Sequence, residues 1–126
     1  MSTVPGDLRY TKDHEWLKAA ADGTALVGIT DYAQQSLGDI VYVELPKPGT
    51  KFAAGATFGV VESVKAASDL YMPVEAEVLE ANSTLETMPE LVNQVPYEGG
   101  WMLKIRVAKP ADTAKLLEAA AYKELI

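Results

Sequence analysis

Lys65 is the side chain of this sequence best placed to do chemistry. It stands in Gly59-Val60-Val61-Glu62-Ser63-Val64-Lys65-Ala66-Ala67-Ser68-Asp69-Leu70-Tyr71, between two apolar runs. Phe58, Val60 and Val61 predict a short buried strand, and Leu70, Tyr71 and Met72 begin a second. The connection from Glu62 to Asp69 is short and rich in polar and small residues. The simplest arrangement is therefore a β-hairpin with Lys65 at or near its tip. A primary amine on a flexible four-carbon stem suits acylation, once a modifying enzyme has taken its proton. On spacing alone a second role stays open, that of a solvated charge keeping the hairpin soluble.

The rest of the chain offers little competing chemistry. There is no cysteine, which excludes disulfides, thiolate nucleophiles, iron–sulfur clusters and Cys-zinc sites. The one histidine, His14, cannot by itself make a zinc site of the usual ligand count. No nucleophile–base pair stands out. Eleven basic against eighteen acidic side chains give a net charge of −7, which argues against nucleic-acid binding and suits partners met through complementary charge. No apolar run approaches the ~18 residues that would span a membrane. Residues 1–7 carry neither a signal-peptide core nor an Arg/Ser-rich transit pattern. A cytoplasmic protein is expected, or the mature form of a targeted one.

The elements that must position Lys65 follow from turn signals and apolar periodicity. With 126 residues, 48% of them hydrophobic, a single domain is expected. Residues 1–8 read as a loose lead-in. Arg9 to Lys18 enters a first strand carrying Trp16 and Leu17, and Asp22-Gly23 turns the chain into Ala25–Ile29. Asp31 with Gln34 predicts a capping box, and Gly38 a helix stop. Asp39–Leu45, apolar on both faces, predicts a central strand ended by Pro46 and Pro48. Residues 50–56 form a connection turning near Gly55. Val74, Val78 and Leu79 continue the second arm of the Lys65 hairpin, with an edge, bulge or change of direction at Pro73. Residues 83–100 read as a loop around one short helix near Pro89–Val92. Trp101, Leu103, Ile105 and Val107 alternate with Met102, Lys104 and Arg106 as a half-buried strand. Residues 110–126 predict a C-terminal helix with Leu117, Ala121 and Leu125 on one face. Many short strands with short helices at the ends imply a mainly β sandwich or small barrel.

Several blocks of the sequence resemble one known family. Gly59 to Asp69 resembles the lipoyl-attachment segment of the glycine cleavage system H proteins. Tyr10-Thr11-Lys12-Asp13-His14-Glu15-Trp16-Leu17 resembles their opening. Val27 to Gln34, Leu37 to Val41, Val43 to Pro46 and Asn93 to Trp101 resemble later blocks, in family order. The resemblance implies a flattened barrel or sandwich of two antiparallel sheets, the lysine at a hairpin tip and a C-terminal helix, within one lipoyl-carrier domain over 1–126. It implies lipoic acid held as an amide on Lys65. The arm would take an aminomethyl group from a pyridoxal-phosphate-dependent glycine decarboxylase as CO2 leaves. A tetrahydrofolate-dependent aminomethyltransferase would take the methylene and release ammonia, and a dihydrolipoyl dehydrogenase would reoxidise the dithiol. A lipoyl ligase or transferase would load the lysine. The carrier is expected to be a non-catalytic monomer, cytoplasmic if bacterial and in the mitochondrial matrix if organellar.

The resemblance also implies roles for other residues. Glu62 matches an acidic position used in selecting the lysine for lipoylation, and Glu15 and Asp69 match positions of the cleft where a loaded arm folds back. For each, plain surface solvation is the competing role. His14 is expected to tie a strand end, Trp16, Trp101 and Tyr42 to be core, and Gly59 to let two backbones approach inside the hairpin. Where the family has Ser-Gly after Pro73-Val74, this chain has Glu75-Ala76. That glycine tolerates positive φ on the recognition side of the lysine, so a turn rebuilt with negative φ is expected at Ala76, to the detriment of lipoylation. Two other classes compete. One is a lipoyl or biotinyl domain of a multienzyme complex, which would lack the Asp13-His14-Glu15-Trp16 block and the C-terminal helix. The other is an H-like lipoyl relay or binding module serving other enzymes.

Overall fold

The computed structural model describes residues 2–126 and comprises two antiparallel sheets with short helices at their margins. Six strands form the larger sheet, in the order β1 (Arg9–Tyr10), β2 (Glu15–Ala19), β3 (Thr24–Ile29), β9 (Leu103–Val107), β8 (Ala76–Ala81) and β5 (Lys51–Phe52). Three strands form the smaller: β4 (Ile40–Glu44), β6 (Thr57–Ser63) and β7 (Ala67–Tyr71). The strands divide between two separate sheets, so the fold is a sandwich and the barrel does not close. Leu17, Val27, Val78 and Ile105 of the large sheet and Val43, Val61 and Leu70 of the small one belong to one buried apolar cluster. The period-two pattern is cleanest in β9, where Leu103, Ile105 and Val107 are buried and Lys104 and Arg106 exposed.

Several elements differ from what the sequence pattern predicts. β4 is an edge strand, since it pairs only with β6, and its register slips between Ile40 and Tyr42. The extra residue leaves both Val41 and Tyr42 about half exposed, so Tyr42 is not core. Trp101 and Met102 precede β9 instead of opening it. There the Asn82 amide donates to the carbonyls of Gly99 and Trp101, leaving Trp101 half-buried and Met102 fully buried. Beyond Pro73 the chain does change direction, but it leaves the small sheet altogether, and β8 pairs with β5 and β9. Two single-turn helices, α2 (Thr84–Thr87) and α3 (Leu91–Gln94), replace the one expected between 83 and 100. The connection at 50–56 contains β5.

The termini also depart from expectation. The lead-in is tied down: Thr3 N–H donates to Asp31, Tyr97 Oη donates to the Thr3 carbonyl, and Leu8 is buried. At the other end a 3-10 turn (Pro110–Lys115) and α4 (Ala119–Leu125) are separated by an extended stretch. Leu117 exchanges two backbone hydrogen bonds with Tyr10 at 2.8 and 2.9 Å, which interrupts the helix. Tyr122, not Leu125, is the residue α4 buries. Its ring stacks on Tyr10 at 4.7 Å, and Leu125 is exposed.

Helix α1 (Asp31–Leu37) begins one residue earlier than a cap at Asp31 would place it. Thr30 is the N-cap and accepts the Ala33 N–H at 3.2 Å, while Asp31 accepts from the Gln34 amide at 2.7 Å. Gly38 ends the helix at φ 80°.

Gly59 marks a close approach between β6 and β4, across strands and not within the hairpin. A Cβ there would overlap the carbonyl oxygen of Glu44, which is backbone and cannot swing aside. Gly59→Ala is expected to lose about 3 kcal/mol or more in urea denaturation. A midpoint equal to the parent's would mean that β4 yields without cost.

Candidate functional site

The hairpin tip is stiffened by its own serine. Ser63 N–H donates to the Ala66 carbonyl at 2.8 Å, closing the turn. Ser63 Oγ accepts the N–H groups of Lys65 and Ala66, each at 3.1 Å, so one hydroxyl satisfies two turn amides. Strand pairing reaches Glu62 and Ala67, and the unpaired tip is shorter than the Glu62–Asp69 connection expected. Val64 N–H donates to the Asp39 carbonyl at 3.0 Å, which anchors the tip to the corner between α1 and β4.

Lys65 is exposed on this tip. A Cβ placed on Gly38 would lie 3.5 Å from its Cε and 3.7 Å from its Cδ, so the aliphatic stem runs along that glycine. No carboxylate lies within ion-pair distance of its amine among the described residues. Val64, on the tip, is two-thirds exposed, and Val41 and Tyr42 are exposed on β4, the strand paired with the first arm of the hairpin. The arrangement offers a free primary amine beside modest apolar surface, held out from the body.

The other candidate residues divide into three places. Glu62 and Asp69 are exposed, and their pairing with Ala67 and Val60 puts both on the outer face of the small sheet, below Lys65. Glu15 is not on the surface. It is 2% exposed at the start of β2, where it accepts the Tyr71 N–H at 3.1 Å and the Thr11 hydroxyl at 2.9 Å. Tyr71 lies two residues beyond Asp69, so Glu15 reaches β7 from the opposite sheet. Burial pushes the Glu15 carboxyl up to about 7, against the two hydrogen bonds. Ala76 is in no exposed turn. It is buried in β8, paired with Phe52 and Val107, and its φ is not positive. A buried methyl group in the large sheet gives a modifying enzyme nothing to touch.

His14 ties a strand end, as the sequence suggests. It turns β1 into β2 at φ 69°, and its Nδ1 shares a 2.8 Å hydrogen bond with Tyr122 Oη. Burial holds its pKa below the usual histidine range. Tyr122 Oη also meets Thr30 Oγ1 at 2.7 Å, so α4 braces the cap of α1. Sequence reading did not single out Ser63 or Tyr122. A serine two residues before a turn lysine is a recognisable signal for a side-chain-closed turn. A tyrosine in an alanine-rich helix gives none.

Comparison with known proteins decides the family. Residues 8–126 match the family model described as Glycine cleavage H-protein. The chain belongs to the glycine cleavage H-protein family. It is 62% identical over 126 residues to the glycine cleavage system H protein of Opitutus terrae, covering 100% of this chain and 99% of that one. Against the H protein of Escherichia coli O7:K1 the identity is 52%, with 100% and 98% covered. The crystal structure of an H protein from Mycobacterium marinum matches with a TM-score of 0.89 at 37% identity, covering 96% and 97% of the two chains. The two-sheet sandwich is thus the architecture of the family. No helix among the described residues is long and apolar enough to cross a membrane.

The Glu15 carboxyl makes stability depend on pH. Below its ordinary 4.5 both the folded and the unfolded chain carry the neutral acid. As pH rises the unfolded chain ionises first, so the fold loses stability until about pH 7, above which the loss is complete. The shift corresponds to about 3 kcal/mol. Urea midpoints at about pH 5 and about pH 8 should fall further for the parent than for Glu15→Gln, which keeps an acceptor and a donor but cannot ionise. Equal falls would show that Glu15 does not govern this slope.

Proposed function

We propose that this chain is the lipoyl carrier of a glycine cleavage system, with lipoic acid held as an amide on Nζ of Lys65. The single observation that carries the assignment is the Lys65 amine, exposed, without an ion-pair partner among the described residues and mounted on a tip closed by Ser63, in a chain of this family. The residues fit the group. The stem has a small, flat neighbour in Gly38, and Val64, Val41 and Tyr42 give an apolar arm surface to lie against. When bound, the group supplies a dithiolane that can accept an aminomethyl unit and afterwards be reoxidised.

The chain's own residues position and present. A closed tip keeps the protein body clear of a partner's entrance, and the tether raises the local concentration of the arm at a docked active site. Glu62, three residues before the lysine and exposed beside it, is the group by which a lipoyl ligase or transferase selects Lys65. Asp69 offers a carboxylate to an ammonium carried on the arm. Glu15 contributes from beneath through the Tyr71 backbone and is not a surface contact. Ala76 acts only through the backbone of β8. No nucleophile–base pair is proposed, and the hard chemistry belongs to partners and their cofactors. Those partners are a pyridoxal-phosphate glycine decarboxylase, a tetrahydrofolate-dependent aminomethyltransferase and a dihydrolipoyl dehydrogenase. Together the 126 residues act as one monomeric carrier unit, in the cytoplasm in keeping with its bacterial relatives.

Intact mass before and after incubation with a lipoyl ligase tests the assignment. The parent should gain one lipoyl group and Lys65→Arg none, and the loaded parent should support glycine cleavage with its three partners. A gain that persists in Lys65→Arg would move the site elsewhere. Glu62→Gln should accept the group more slowly, by about tenfold if one charge-assisted contact is lost.

A further inference from the structure

The corner that carries the lysine tip is held by a residue far away in sequence. Asn93, on α3, spends its amide on three bonds: Oδ1 accepts the Ile40 N–H at 2.9 Å, and Nδ2 donates to the Gly38 carbonyl and to Gln34 Oε1, each at 2.9 Å. Because Ile40 N–H can only donate and the Gly38 carbonyl only accept, these partners fix which end of the amide points where. Asp39 is therefore gripped on both sides. Its carbonyl is the acceptor for Val64 N–H, and Ile40 pairs in register with Ser63. Gly38, the other gripped residue, is the one along which the Lys65 stem runs.

We infer that Asn93 is a positioning residue for Lys65: its amide clasps the α1–β4 corner on which the tip rests, and so fixes the direction in which the lysine is presented. The inference builds on the assignment of Lys65 as the acylated residue. Asn93 touches neither the lysine nor any arm on it and acts through residues 38–40. Asparagine is needed because the corner offers one acceptor and one donor on either side of Asp39, and one planar amide answers both. Aspartate would keep the bond to Ile40 and turn an oxygen toward the Gly38 carbonyl. Without the clasp the lysine stays exposed and chemically intact, but the tip samples many directions.

The test uses the full chain with Asn93→Ala, and with Asn93→Asp should the alanine variant not fold. Amide hydrogen exchange is read at Val64 and at Ile105, which lies centrally in the large sheet, and kcat/KM is read for transfer by a lipoyl ligase. Val107→Ala, in β9, serves as a control for general destabilisation. Val64 should lose protection about tenfold or more beyond any change at Ile105, as one or two lost hydrogen bonds would produce in a local opening. Lipoylation kcat/KM should fall several-fold below that of Val107→Ala. Val64 protection falling only in step with Ile105, or lipoylation no slower than the control, would overturn the clasp. A parent that takes no lipoyl group at all would instead overturn the assignment of Lys65, and exchange at Val64 would still decide whether Asn93 holds the corner.

Discussion

Burying Val61 and Leu70 of the small sheet against the apolar face of the large one fixes where β6 and β7 can lie, and with it where their turn must emerge. Neither strand can slide by one residue without turning its buried side chains to solvent. Gly59 adds a second constraint, since only a residue without a side chain lets β6 lie so close to β4. The position of Lys65 is thus settled by packing well below it. From there the turn reaches the α1–β4 corner, where Val64 N–H meets the Asp39 carbonyl.

Polar groups then seal what the apolar faces leave open. Among the described residues no buried side-chain nitrogen or oxygen lacks a partner. Glu15 shows what such sealing costs: it satisfies the Tyr71 amide across the gap between sheets, but does so with a group that burial pushes toward neutrality. At the two ends of α1 the solutions are neutral. Thr30 and Tyr122 serve the N-terminal end, and Asn93 serves the carbonyl and corner at the other. The tip is hydrogen-bonded to this corner, so a short helix of modest intrinsic stability becomes the platform for the exposed lysine.

Much of this was legible in the sequence, for reasons that differ by element. Strands with strict alternation, above all Leu103 to Val107, declare themselves through the period of two. The Lys65 hairpin is readable because apolar runs flank a short polar connection. What stayed hidden depended on the partner an element meets. β4 reads as central because Ile40 to Val43 is apolar throughout; only the slip in register against β6 shows that Val41 and Tyr42 face outward. The C-terminal helix pattern extends over Leu117, but pairing with Tyr10 overrides local propensity there. Glu15 looks like any surface acid, since nothing in its neighbours announces a backbone amide waiting on the opposite sheet. A turn at Ala76 is what the family resemblance implies, from the Ser-Gly pair at that place, whereas here its partners across the large sheet are Phe52 and Val107.

The pairing of Tyr10 with Leu117 and the stacking of Tyr10 on Tyr122 join the two ends of the chain. His14 and Tyr122, bonded to each other, are 108 residues apart. On the ribosome β1 and β2 emerge first, but the outer edge of β1 has no partner until Leu117 has been made. That edge therefore stays uncovered while every strand of both sheets is being translated, and the N-terminal corner of the fold closes after the rest.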